Sequence, residues 1–240
     1  MTEKLYLKES YLKEIDAKIV STNGNEFVAD KTIFYPGGGG QPFDTGEAVL
    51  SGTAYKIVEA KKNGEEVVHV INAPISALPG STIHLSLDWQ RRYAFMRYHT
   101  AIHLIDGIIL KLHSSQGFST GGQIFEDRAR VDFDMPELNR ELAEKIIQEA
   151  NKFAKEGHKV IVKEMSKEEA LSIENIARTE PGRRLIESLN VVRIVEIEGL
   201  DMQADGGTHV ANTSEIGNIS LLRFENKGSH NKRIEIKVAP

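Results

Sequence analysis

The sequence contains no cysteine. That excludes disulfides, a thiolate nucleophile and thiolate metal ligands, so any chemistry must use nitrogen and oxygen atoms. No apolar run approaches the ~18 residues a membrane span needs, and the opening MTEKLYLKES is too charged to form the apolar core of a secretory signal. A cytoplasmic protein without membrane association is therefore expected. Arginine is missing from residues 1–88, which carry 8 Lys against 12 acids, whereas residues 89–240 hold 22 basic against 23 acidic residues. The formal net charge of −5 argues against indiscriminate nucleic-acid binding, which draws its affinity from many cationic contacts to phosphates. Basic character is local instead, at Arg91, Arg92 and Arg97, at Arg183 and Arg184, and at Lys227, Lys232, Arg233 and Lys237. These clusters read equally well as a groove for one RNA end or as scattered solvated faces.

What is present is enough chain, 240 residues with 40% hydrophobic content, for one large domain or two smaller ones. Residues 1–88 read as short strands, Ala17–Ser21, Glu26–Asp30, Glu47–Ser51, Tyr55–Ala60, Glu66–Ile71 and Ser81–Leu87, bounded by Asn-Gly, Pro-Gly and Asn-Ala-Pro turn signals. That spacing predicts a small antiparallel barrel or sandwich. Beyond Asp88, a plausible N-cap, the apolar spacing becomes helical from Tyr93 to about Leu112, interrupted by Gly107. A strand pair around Gly122–Phe133, a helix from about Pro136 to Glu156 and a strand His158–Glu164 are expected next. Ser166 with Glu169 three residues on has the pattern of a capping box. From Val191 the chain reads as strands with one loaded turn at Asp205–Thr208. The fold class is α+β, with a barrel-like domain over 1–88 and a second domain over 89–240 that carries a metal site between a long helix and a Gly-rich turn.

Two clusters carry the chemistry. In HTAIHL, His99 and His103 are i and i+4, so on a helix they share one face and can converge on one ion. In ADGGTHV, Asp205 and His209 have the same separation, with Gly-Gly between them to let the backbone turn. Together they supply three nitrogens and one oxygen, suited to zinc or another divalent metal. The bland alternative has Asp205 capping a turn and His209 as a satisfied strand histidine. Thr100 stands where an H-E-x-x-H peptidase would have its Glu general base, which disfavours that class. No G-x-S-x-G elbow is present, so a serine nucleophile is disfavoured too.

The segments DWQRRYAFMRYHTAIHL and GLDMQADGGTHVANTSEIG, in that order, closely resemble the editing domain of alanyl-tRNA synthetase and the free-standing editing proteins of the AlaX family. TIFYPGGGGQPFDTG resembles the Gly-rich segment that precedes that core, so the likeness spans nearly the whole chain. GGTH points to the alanyl rather than the threonyl branch. One departure stands out: most members have Cys where this chain has Asp205, so a Cys/His3 site becomes Asp/His3, a harder donor set that loosens the preference for zinc.

The resemblance implies a trans-editing hydrolase. It would deacylate tRNA(Ala) mischarged with serine, with glycine as a second candidate, by metal-assisted ester hydrolysis. One Zn2+ per chain would be held by His99, His103, Asp205 and His209, with other divalent metals admissible. A pocket built for a methyl group discriminates only modestly against such small changes, hence the need for a second site. Carried over from the family, Gln116 joins His99 and His103 in the catalytic set, and Gln116 and Thr32 are candidates to recognise the serine hydroxyl. Each also reads as an ordinary residue, a loop glutamine and a strand threonine. Gly38, Gly39 and Gln41 are candidates to approach the RNA terminus or a developing oxyanion, or simply to form a turn. Arg91, Arg92 and Arg97 are candidate phosphate contacts on the acceptor stem and 3′ end, and Tyr93 and Tyr98 candidate base-stacking residues, although aromatics at this spacing more often belong to a core. The segment Leu221–Val238 is a further candidate RNA-facing edge. A competing reading is a non-catalytic tRNA-binding protein with a structural metal.

Overall fold

The computed structural model describes residues 1–113, 118–177 and 180–239, and the chain divides into two compact units, Met1–Phe95 and Met96–Pro240. In the first, a short strand β1 (Glu3–Lys4) leads into β2 (Glu14–Asn23), β3 (Glu26–Ala29) and β4 (Lys31–Thr32), with β1 and β4 pairing in parallel. β5 (Gly46–Leu50), β6 (Thr53–Asn63), β7 (Glu66–Ile71) and β8 (Thr82–Leu87) follow. β2, β3, β7, β6, β5 and β8, in that order, close an antiparallel barrel. These six are the six strands expected from the turn signals, and closure decides for a barrel over a sandwich. Closure leaves no unpaired edge, and alternate residues fill the interior, among them Ile19, Phe27, Ile57, Ile83 and Leu85.

A long helix α1 (Trp89–His113) follows, and Asp88 caps it as expected, its Oδ1 accepting from the Arg91 N–H at 3.1 Å. Gly107 interrupts its apolar pattern for a steric reason: a Cβ there would lie 2.8 Å from Leu200 Cγ and 2.9 Å from Asp201 Cβ. Strands β9 (Phe118–Ile124) and β10 (Ala129–Asp134) form the expected pair. Helix α2 (Arg140–Glu156) begins four residues later than Pro136 suggests. Pro136 lies in a turn closed by Leu138 N–H to Met135 O, and Asn139 is the cap that accepts from Leu142 N–H at 3.0 Å. The apolar face of α2, with Ala143, Ile146, Ile147, Ala150 and Phe153, is buried, and Gly157 ends it in the left-handed region.

β11 (Val160–Ser166) runs two residues beyond the expected strand, and Ser166 then closes both bonds of a capping box with Glu169 at the start of α3 (Lys167–Ser172). α4 (Glu180–Glu187) leads to β12 (Val191–Ile197) and β13 (Asp201–Ala204), which complete the sheet β11-β12-β13. β14 (Asn218–Asn226) and β15 (Lys232–Ala239) extend β9 and β10 into the sheet β14-β15-β10-β9. The mixed α and β content agrees with the expected fold class. Among the described residues no helix is long and apolar enough to cross a membrane.

Candidate metal centre

Helical geometry places His99 and His103 one turn apart on α1, with ring centroids 5.2 Å apart. The other two residues arrive on the loop after β13. Its entry is pinned to β12 by both the backbone and the side chain of Arg193: Asp205 N–H donates to Arg193 O at 3.2 Å, and Arg193 Nη1 donates to Asp205 O at 2.6 Å. Asp205 then folds back on its own loop, Oδ2 accepting from Gly207 N–H at 2.6 Å. Neither Gly206 nor Gly207 has a positive φ, so the turn owes its shape to this carboxylate-to-backbone bond and not to left-handed glycine. His209 emerges facing α1, its ring 4.4 Å from that of His99 and 4.7 Å from that of His103.

His99, His103, Asp205 and His209 each offer one donor atom, and these atoms all lie within 4.8 Å of one another. His209 Nε2 is 3.1 Å from Asp205 Oδ2, and His99 Nε2 is 3.5 Å from Asp205 Oδ1. Four ligands on a tetrahedral zinc ion at ~2.0–2.2 Å would be separated by about 3.4 Å, so the spacing suits such an ion. All three histidines are buried. Burial, reinforced by the neighbouring rings, pushes His209 well below its ordinary value and brings His99 to about 4. Burial alone would raise the Asp205 carboxyl, but its interactions with His99, His209 and His103 outweigh that and hold it well below the ordinary range. Burial thus favours the neutral forms of His99 and His209, whose lone pairs suit a cation.

Two residues in contact with this group were not singled out from sequence. Thr100, wholly buried, lies 3.2 Å through Oγ1 from His209 Nδ1, and Asp201 Oδ2 lies 3.7 Å from His103 Nδ1. The signal for Thr100 was its position inside HTAIH. For Asp201 it was an acid on the strand leading to Asp205.

Most of the other candidates belong to the first unit. Thr32 is fully buried in the first unit, its hydroxyl 2.8 Å from His69 Nε2 and accepting from Phe34 N–H at 3.0 Å, bonds that serve the barrel interior. Arg92 is corrected from a phosphate contact to a core residue. It is 0% exposed, its Nε donates to both carboxylate oxygens of Asp44 at 3.0 Å, Nη2 donates to Ile33 O at 2.5 Å and to Asp44, and Nη1 donates to Ser10 O at 3.2 Å. Tyr98 is buried and so is unsuited to stacking on a base. Arg91 and Arg97 are half-buried, Arg91 lying over the Phe95 ring and Arg97 donating to Ile216 O at 2.7 and 3.0 Å. Gly38 and Gln41 exchange backbone bonds of 3.0 and 2.9 Å around a two-residue turn in which Gly39 and Gly40 have φ of +56° and +85°. Gly38 and Gly39 are exposed, whereas Gln41 is buried. Gln116 lies outside the described residues.

Known proteins match this chain along most of its length. A family model described as tRNA synthetases class II (A) matches residues 4–91, and one described as the threonyl and alanyl tRNA synthetase second additional domain matches residues 192–235. The alanyl-tRNA editing protein AlaX-M of Saccharolobus solfataricus is 40% identical over 100% of both chains, and that of Methanosarcina acetivorans is 37% identical over 98% of both. The alanine–tRNA ligase of Metallosphaera sedula is 36% identical over 93% of this chain but only 25% of its own length. By class, then, this is an aminoacyl-tRNA editing protein. More narrowly, the chain belongs to the alanyl-tRNA editing protein AlaX family.

Proposed function

We propose that this protein deacylates tRNA(Ala) mischarged with serine, and with glycine as a second substrate, using one divalent metal held by His99, His103, Asp205 and His209. The observation that carries this reading is the convergence of four donors, three of them buried imidazoles, in a chain of an editing family. When bound, the metal would act as a Lewis acid toward the ester or lower the pKa of water. The protein's part is to bring three imidazoles and one carboxylate to one point, with burial favouring the neutral form of His99 and His209. Zinc is the first candidate for nitrogen-rich donors, and Asp205 in place of the family's cysteine admits harder cations. Gln116, together with His99 and His103, is assigned to the catalytic set on the family likeness. Gly38 and Gly39, exposed at the tip of their turn, Gln41 within it, and the half-buried Arg91 and Arg97 are assigned to the acceptor stem and 3′ end. The cytoplasm is the compartment that supplies this substrate.

The test is to incubate the protein with Ser-tRNA(Ala), Gly-tRNA(Ala) and Ala-tRNA(Ala), with chelator and with added zinc, and follow release of the amino acid. Chelator-sensitive release of serine with alanine retained is expected. Intact serine ester with zinc-loaded, folded protein, combined with retained tRNA affinity, would replace the enzyme by a binding protein with a structural metal.

A further inference from the structure

A hydroxyl group has one proton, and the shorter contact of Thr100 Oγ1 gives it to a backbone carbonyl. Thr100 Oγ1 donates to Met96 O at 2.9 Å, the carbonyl one turn back on α1, and a carbonyl can only accept. The same oxygen accepts from Val210 N–H at 3.2 Å. Toward the third neighbour, His209 Nδ1 at 3.2 Å, it therefore has only a lone pair to offer. With the hydroxyl proton donated to Met96 O, a hydrogen bond at this contact places the ring proton on Nδ1, which leaves Nε2 of the neutral ring with its lone pair. That nitrogen faces Asp205 Oδ2 at 3.1 Å. A cation held by both atoms favours this tautomer over the alternative in which Nε2–H donates to Oδ2.

We infer that Thr100 is a positioning residue that locks His209 in the Nδ1–H tautomer and so aims the Nε2 lone pair into the metal site. The inference rests on the metal reading proposed above. The hydroxyl is well suited to the task because it is wholly buried, so no water competes for its bonds, and its placement is fixed from both sides. The helix carbonyl of Met96 sets its proton, and the Val210 amide, next in sequence to His209, sets its register with the second ligand loop. One side chain between the two helix ligands thereby also orients the ligand that comes from the loop. Outer partners of this kind typically change metal affinity by about 10- to 100-fold when removed.

The test compares the wild type with Thr100→Val, which keeps the shape but deletes the hydroxyl, and Thr100→Ser, which keeps the hydroxyl. Zinc affinity is measured by competition with a chromogenic chelator, and the ring tautomer of His209 by long-range proton–nitrogen NMR of protein incubated with zinc. The expected result is a loss of about 10- to 100-fold in zinc affinity for Thr100→Val. Thr100→Ser should stay within a few-fold of wild type, and the Nδ1–H signature should be present in wild type and Thr100→Ser. Ile146→Ala, buried on α2, serves as a control for lowered stability alone and should keep its zinc affinity. Wild-type affinity in Thr100→Val, or an Nε2–H tautomer in the wild type, overturns the inference. Should Thr100→Val fail to fold, the wild-type tautomer and the Thr100→Ser affinity still decide it. A wild-type protein that binds no metal but shows the Nδ1–H tautomer would overturn the metal reading and the aiming of Nε2 with it, leaving Thr100 as the setter of the tautomer alone.

Discussion

His209 Nε2 lies 3.1 Å from Asp205 Oδ2 in a loop that the Asp205 carboxylate itself shapes through its 2.6 Å bond to the Gly207 N–H. One side chain therefore builds the turn and faces the ligand site. Asp205→Ala should remove both roles and lower zinc affinity by more than the ~10–100-fold typical of an outer partner. Asp205→Cys should keep the site, tighten zinc and widen the preference for zinc over manganese, because thiolate is the softer donor. Competition titrations with both metals would check the pair. Equal manganese binding in wild type and Asp205→Cys would count against Asp205 as a ligand.

Asp201 Oδ2 accepts from Gln203 Nε2 at 2.8 Å and lies 3.7 Å from His103 Nδ1, beyond hydrogen-bond length but near enough to bias that ring once a metal is bound. Asp201→Asn is expected to weaken zinc binding by about 10-fold or more while leaving the fold intact, measured by chelator competition and circular dichroism.

Gly107 belongs to α1, where alanine would ordinarily be favoured by about 1 kcal/mol. Here the added Cβ would press on Leu200 and Asp201, so Gly107→Ala is expected to destabilise by about 1–3 kcal/mol instead. Thermal unfolding would show the sign directly.

Arg92 and Asp44 form a buried pair whose members also bind backbone, Asp44 Oδ2 accepting from Tyr35 N–H at 2.6 Å. Removing either partner leaves a buried charge, and Arg92→Ala should cost about 3–5 kcal/mol. Arg92→Lys should rescue little of it, since an ammonium cannot span Asp44, Ile33 O and Ser10 O together. Urea unfolding followed by the fluorescence of the single tryptophan, Trp89, is the measurement.

His69, fully buried and stacked on Phe27 with ring centroids 4.6 Å apart, is pushed down to about 4 by burial. Its ordinary value is near 6.5, so between these values the unfolded chain binds the proton that the folded one refuses. The stability it contributes is fully present above about pH 6.5 and is lost as pH falls toward 4, about 3 kcal/mol over that window. His69→Gln should flatten that part of the unfolding profile relative to the wild type.

Much of this could be read from the residues because it is local. Turn signals delimit the six barrel strands, Ser166 and Glu169 announce their capping box, and the i, i+4 spacing puts His99 and His103 on one face of α1. Periodicity and caps act within a few residues, so sequence alone determined them, as it determined that only nitrogen and oxygen donors were available. Pro136 misled for the converse reason: its fixed φ suits a helix start but equally suits the turn it occupies, and the Asn139 cap decides the boundary. What sequence could not decide depends on partners far along the chain. Arg92 looks like Arg91 until Asp44, 48 residues away, claims it, and Thr32 looks like any strand threonine until His69 closes over it. Only the tertiary structure placed His209 against Thr100 across 109 residues, because the burial that lowers an imidazole's pKa and the contact between these side chains exist once distant segments pack together.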